Sequence, residues 1–146
     1  MIRRKAAASL PAVALVALLA AGCGGGSAVS DLGTVVKGAK GTTVPVELGP
    51  GRRFSLAVPD NPSVGDGWTL VAVPDAKVAS YISKEHESSG DATGAGGTSY
   101  FVFNTKGRGT ARITLRDCWR CGTGTTPPDE QSRQMSGEAI FELTVR

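Results

Sequence analysis

The sequence is poor in the residues that drive most enzymes. It has one histidine, three cysteines and only 5% aromatic residues in a chain of 146. A serine or cysteine triad needs a base held by a third group, and His86 is the sole histidine that could serve. His86 sits in the polar run Glu85-His86-Glu87 and reads as a solvated loop residue. One histidine cannot complete a zinc site around a cysteine pair. Gly94-Ala95-Gly96-Gly97 lacks the lysine and the following helix of a phosphate loop. Sustained helical periodicity is missing as well. The chain is therefore expected to be no enzyme and to hold no metal or cofactor.

Net charge is slight, at +3, and its location matters more than its size. Arg3, Arg4 and Lys5 precede an uncharged, mostly apolar run from Ala6 to Ala21, which is interrupted by Pro11. A basic start, a short apolar run and small residues describe a secretory signal. The run also falls short of the roughly 20 residues that a membrane-spanning helix needs. Leu19-Ala20-Ala21-Gly22-Cys23 resembles the bacterial lipobox, in which the peptidase cuts before a cysteine already carrying a diacylglycerol thioether. Ala20 stands where the usual large aliphatic residue would be, with Leu19 one place further out. The resemblance implies a lipid anchor on Cys23, an extracytoplasmic position on the bacterial cell membrane, and a Gly-Gly-Gly-Ser start to a flexible tether. Cleavage before Cys23 removes 22 of the 146 residues and leaves 124. Lys+Arg then falls from 16 to 13, equal to the 13 Asp+Glu. A neutral mature chain offers no basic patch for nucleic acid.

Residues 1–22 thus read as the signal peptide and 23–40 as a tether that begins to order near Val35-Val36. Residues 41–146 read as one domain of short β-type runs broken by turns. Seven candidate strands are Thr42–Leu48, Arg53–Val58, Trp68–Val73, Lys77–Ile82, Tyr100–Asn104, Thr110–Arg116 and Glu138–Arg146. Pro45 marks the first as an edge strand. Strands spaced every 10 residues or so predict an all-β sandwich of immunoglobulin-like type, without the cysteine–tryptophan–cysteine spacing of antibody domains. Three loops are long or glycine-rich: Pro59–Gly67, Glu85–Thr98 and Asp117–Gly137. Loops on a rigid scaffold are where binding concentrates.

Cys118-Trp119-Arg120-Cys121 is a CxxC pair. A structural disulfide closing a small loop, a free or labile pair, and a redox or metal site are its three readings; the βαβ context of a thioredoxin site is absent. In the first loop, Pro62 biases Asn61 to an extended form, while Gly65 and Gly67 permit positive φ. That arrangement projects Ser63 and Val64 outward, with Trp68 anchoring the next strand. Gly94, Ala95, Gly96 and Gly97 expose bare backbone for close approach by a partner. Trp119 offers a large aromatic on the third loop, a residue type enriched at binding hot spots.

In order and spacing these segments resemble the chagasin family of cysteine-protease inhibitors, with its NPTTG[YF]-x-W, GxGG and RPW loops. Asn61, Pro62, Gly65 and Trp68 match the first motif, Gly94, Gly96 and Gly97 the second, and Trp119 the third. Ser63 and Val64 replace two threonines, Asp66 replaces an aromatic, and Asp117 and Cys118 replace the Arg and Pro. The resemblance implies a monomeric immunoglobulin-like sandwich whose three loops plug the cleft of a papain-like cysteine peptidase, Ser63 and Val64 approaching the catalytic cysteine. In such a loop a Cys118–Cys121 bridge would supply the rigidity of the missing proline. The other reading is a non-inhibitory envelope module for adhesion on the same scaffold.

Overall fold

The computed structural model describes residues 31–146; the signal peptide, Cys23 and the start of the tether lie outside them. Eight strands form two four-stranded sheets. They are β1 (Thr34–Lys37), β2 (Thr43–Leu48), β3 (Arg53–Asp60), β4 (Trp68–Leu70), β5 (Ala79–Ser88), β6 (Gly97–Thr105), β7 (Gly109–Asp117) and β8 (Gly137–Val145), with one short helix, α1 (Glu130–Met135). One sheet has the order β1-β3-β6-β5 and the other β2-β8-β7-β4. The pairs β1–β3 and β2–β8 are parallel and the rest antiparallel. The all-β sandwich expected from the alternation is the fold.

Alternation locates the core. Phe54, Leu56 and Val58 of β3, Phe101 and Phe103 of β6, Ile113 and Leu115 of β7, and Phe141, Leu143 and Val145 of β8 are all buried in one cluster between the sheets. Phe54 and Phe103 stack across the β3–β6 pair with ring centroids 5.3 Å apart. Such offset aromatic pairs add to simple area burial. Pro45 lies on β2, an edge strand, where its missing N–H costs no ladder bond.

Four boundaries differ from the sequence reading. Thr34–Lys37, placed in the tether, forms β1, because Thr34, Val35 and Val36 pair along β3 from Phe54 to Leu56; the sandwich therefore begins before residue 41. The Trp68–Val73 strand stops at Leu70, leaving Val71 and Val73 exposed. The short strand at Lys77–Ile82 instead runs on to Ser88. Its second half, Ser83–Ser88, is polar and is held by backbone pairing to β6 rather than by apolar burial, so hydrophobicity gave no sign of it. The expected Glu85–Thr98 loop shrinks accordingly to a hairpin tip. Finally, α1 interrupts the third loop, capped by Asp129, whose side chain accepts from the Ser132 N–H at 2.7 Å.

Candidate functional site

Strand direction brings the three loops together. β3 ends and β4 starts, β5 ends and β6 starts, and β7 ends and β8 starts at one end of the sandwich. Cα partners Asp60–Gly97, Ser88–Gly97, Trp68–Asp117 and Asp117–Gly137 set the loop bases side by side. Two hydrogen bonds then tie the loops across. The Asn61 side chain donates to the Gly94 carbonyl at 3.4 Å, and the Arg120 N–H donates to the Gly65 carbonyl at 2.9 Å.

The first loop is a tight turn. Pro62–Val64 form one 3-10 turn, after which Gly65 takes φ +93°. Asn61 closes it, accepting from the Val64 and Asp66 N–H groups through its carbonyl and from Ser63 Oγ through its side chain. Pro62, Ser63 and Val64 stand exposed at the tip. Trp68 pins the base: it is 2% exposed, and its Nε1 donates to the Pro59 carbonyl at 2.8 Å. The expected positive φ is realised at Gly65 and not at Gly67. Gly67 instead donates its N–H to Asp117 Oδ1 at 2.9 Å, and its carbonyl accepts from the Cys118 N–H.

The second loop is the tip of the β5–β6 hairpin, closed by the Ser89 N–H and hydroxyl on the Gly96 carbonyl. Gly94 is exposed and Ala95 half-buried at this tip. Gly97 has an internal reason to be glycine: a Cβ there would sit 2.3 Å from the Glu87 carbonyl oxygen and 2.9 Å from His86 Cε1. Its bare backbone thus makes room for the hairpin's own partner strand. His86 is likewise placed on β5 rather than in a loop, with Nδ1 3.8 Å from Asp60 Oδ2. The same oxygen accepts from Ser99 Oγ. Because Ser99 is fully buried and donates to a carboxylate, this trio braces the loop bases and presents no nucleophile.

The third loop is built around Trp119. A Cys118–Cys121 disulfide closes it, with Cα atoms 5.6 Å apart. The Trp119 N–H donates to Ser136 Oγ at 2.9 Å, and its carbonyl accepts from Ser132 Oγ, fastening the loop to α1. Trp119 is only 9% exposed. The Arg120 guanidinium covers it, 4.3 Å from the ring centroid, a cation–π contact. Arg120 is itself the one described non-glycine residue with positive φ, +54°. What the loop offers a partner is an exposed guanidinium seated on a tryptophan.

Lys40 and Asp117 were missed by local pattern. Lys40 lies in the stretch read as tether, yet its Nζ reaches Asp117 Oδ2 at 3.0 Å, the Met135 carbonyl at 2.7 Å and Asp66 Oδ1 at 3.7 Å. Asp117 is fully buried and holds the first loop through Gly67 and the N-terminal segment through Lys40. The anion that replaces the motif's arginine is therefore a clamp beneath the loops.

Burial, and after it the charge of Asp117, pushes the Asp66 carboxyl above its usual value; Lys40 opposes this only in part. A carboxyl that holds its proton more tightly folded than unfolded stabilises most at pH below its unfolded pKa. Its contribution is lost as pH rises through the folded value. Asp66→Asn is therefore expected to raise the melting temperature at neutral pH, and the gain should shrink towards acid. Thermal unfolding across that pH range checks it; a gain confined to acid pH would refute the assignment.

Among the described residues no cluster of three or more His, Cys, Asp or Glu is placed to hold a metal, and no helix is long and apolar enough to cross a membrane.

No curated protein matches the sequence. Solved structures resemble the chain in fold, three of them as follows. They are a cysteine protease inhibitor, EhICP2, from Entamoeba histolytica (13% identity, 77% of this chain and 96% of that one, TM-score 0.51), amebosin (15%, 77% and 98%, 0.50), and PbICP-C in its complex with falcipain-2 (12%, 78% and 100%, 0.57). The family model described as "Chagasin family peptidase inhibitor I42" matches residues 47–133, which is more than half of the chain and takes in the first two loops and most of the third. The chain belongs to the chagasin family of peptidase inhibitors.

Proposed function

We propose that this protein reversibly inhibits papain-like cysteine peptidases by filling the active-site cleft with the three loops. The observation that carries this reading is the cross-tying of the loops at one end, through Asn61 to Gly94 and Gly65 to Arg120. Loops already held in register give up little ordering entropy on binding. The family match and the complex of PbICP-C with falcipain-2 support the choice of partner.

Each loop has a part. Ser63 and Val64, at the exposed tip, approach the peptidase's catalytic cysteine. Their backbone is a 3-10 turn opened by Pro62, and peptide recognition by strand addition needs an extended chain, so the tip enters without lining up a bond for cleavage. Gly94, Ala95 and Gly96 clamp one side, and Arg120 seated on Trp119 clamps the other. Inhibitor interfaces of standard size bury about 1,600 Å² in total, which suits three loops of this length. Lipid on Cys23 anchors the monomer outside the cell membrane, where it meets one peptidase at a time.

The test is to immobilise the protein and offer it a papain-type peptidase with its cleft either open or filled by a small irreversible inhibitor on the catalytic cysteine. Capture of the open form and failure to capture the filled form is expected. Equal capture of both would place the contact outside the cleft and favour an adhesion-type module.

A further inference from the structure

The end of the sandwich opposite the loops carries a distinct charge pattern. Thr105 organises it: its hydroxyl donates to the Gly49 carbonyl and accepts from the Arg52 N–H, and its backbone exchanges bonds with Gly51 and Arg52. The next turn is tied by Lys106 N–H to the Val78 carbonyl and Gly107 N–H to the Lys77 carbonyl. These bonds gather Arg52, Arg53, Lys77, Lys106 and Arg108 at one pole. Arg52, Arg53 and Lys106 line a shallow groove of about 850 Å³ there. Among the described residues none of the five makes an ion pair. The acidic groups at this end are Asp31, Asp75 and Glu47. Asp31 lines the same groove, its Oδ1 accepting from the Gly33 N–H; Asp75 accepts from the Lys77 N–H, and Glu47 is matched by Arg146.

The described chain also begins at this pole. The Leu32 carbonyl accepts from Ser55 Oγ at 2.6 Å, and the Asp31 carbonyl from the Arg53 guanidinium at 3.5 Å. Covalent geometry limits the span from Cys23 to Asp31 to at most about 29 Å. A lipid on Cys23 therefore keeps the cationic end, and not the loops, near the bilayer.

We propose that this pole is a docking surface for the anionic headgroups of the membrane that holds the anchor. Basic residues beside an anionic leaflet gain attraction that fades within a Debye length. Five unpaired cations at the tethered end would hold the domain upright, with the loops turned to the medium. A neutral chain thus carries a local charge that its total conceals.

The test uses the chain from residue 23 with Cys23→Ser, so that no lipid confers binding; it retains every described core residue. Sedimentation with phosphatidylcholine vesicles, with and without phosphatidylglycerol, reads the partitioning. Binding is expected only with phosphatidylglycerol and should weaken with salt. Substituting glutamine for Arg52, Lys106 and Arg108 together should lower it about fivefold per charge, so about a hundredfold. The charge-matched variant carrying glutamine at Lys37, Arg116 and Arg133, towards the loop end, should keep most of it. Unfolding curves confirm that both variants fold. No preference for phosphatidylglycerol, equal losses in the two variants, or binding to duplex DNA but not to vesicles would overturn the proposal.

Discussion

Replacing Trp68 by alanine is expected to lower folding stability by about 3–5 kcal/mol, as large-to-small changes of buried aromatics do. For a domain of this size that corresponds to a fall in melting temperature of roughly 10–25 °C. The indole is 2% exposed, packs in the core cluster and donates to the Pro59 carbonyl. It thus joins the core to the base of the first loop. Trp68→Phe separates the two contributions. It keeps most of the packing and loses the hydrogen bond, for a smaller cost of about 1–3 kcal/mol. Inhibition by the phenylalanine variant should fall even where the fold survives, because the Pro59–Gly67 segment loses its pin. Thermal unfolding of the two variants decides the matter. Equal stability losses would mean that the ring's volume contributes little.

Gly65→Val should weaken inhibition at least 30-fold or so, the scale of a hot-spot loss. Two effects combine. A β-branched residue at φ +93° is a backbone outlier costing about 1–3 kcal/mol. Its Cβ would also lie 2.8 Å from Arg120 Cγ and 3.3 Å from Arg120 N. The Arg120 N–H bond to the Gly65 carbonyl cannot survive that displacement unaltered, so the first and third loops lose their register. Gly94→Ala is the comparison. Gly94 has φ +80° and open space where a Cβ would go, so alanine there brings strain without displacing a neighbour. Its effect on inhibition should be several-fold smaller. Inhibition constants of both variants against one papain-type peptidase check this, and equal values would mean that the tie to Arg120 is immaterial.

Where apolar side chains alternate, the sequence could be read directly. β3, β6, β7 and β8 were legible because one face of each fills the core. The loop sites were legible through Asn61-Pro62, the glycines and Trp119. The segments that escaped are held by something other than local hydrophobicity. β1 is a mostly exposed edge strand, held by backbone pairing with β3. The polar half of β5 has no apolar face to show. Lys40 reaches Asp117 across 77 positions, a contact that no local pattern encodes. Trp119 was legible as a loop aromatic, but its burial was not. Arg120 covers it from a backbone with φ +54°, and a positive φ outside glycine leaves no mark in the sequence. Asp117 looked like the loss of a binding cation, whereas its burial makes it the post on which Gly67 and Lys40 hang, while Arg120 brings a cation back to the loop.

The central claim is most directly tested by titrating an active papain-type peptidase with the protein while following both peptidase activity and the integrity of the added chain. The expected result is loss of activity at near-equimolar protein, recovery on dilution, and a chain that stays uncut between Asn61 and Gly67. Full activity of several such peptidases at micromolar protein, or cleavage within that segment as inhibition decays, would contradict it.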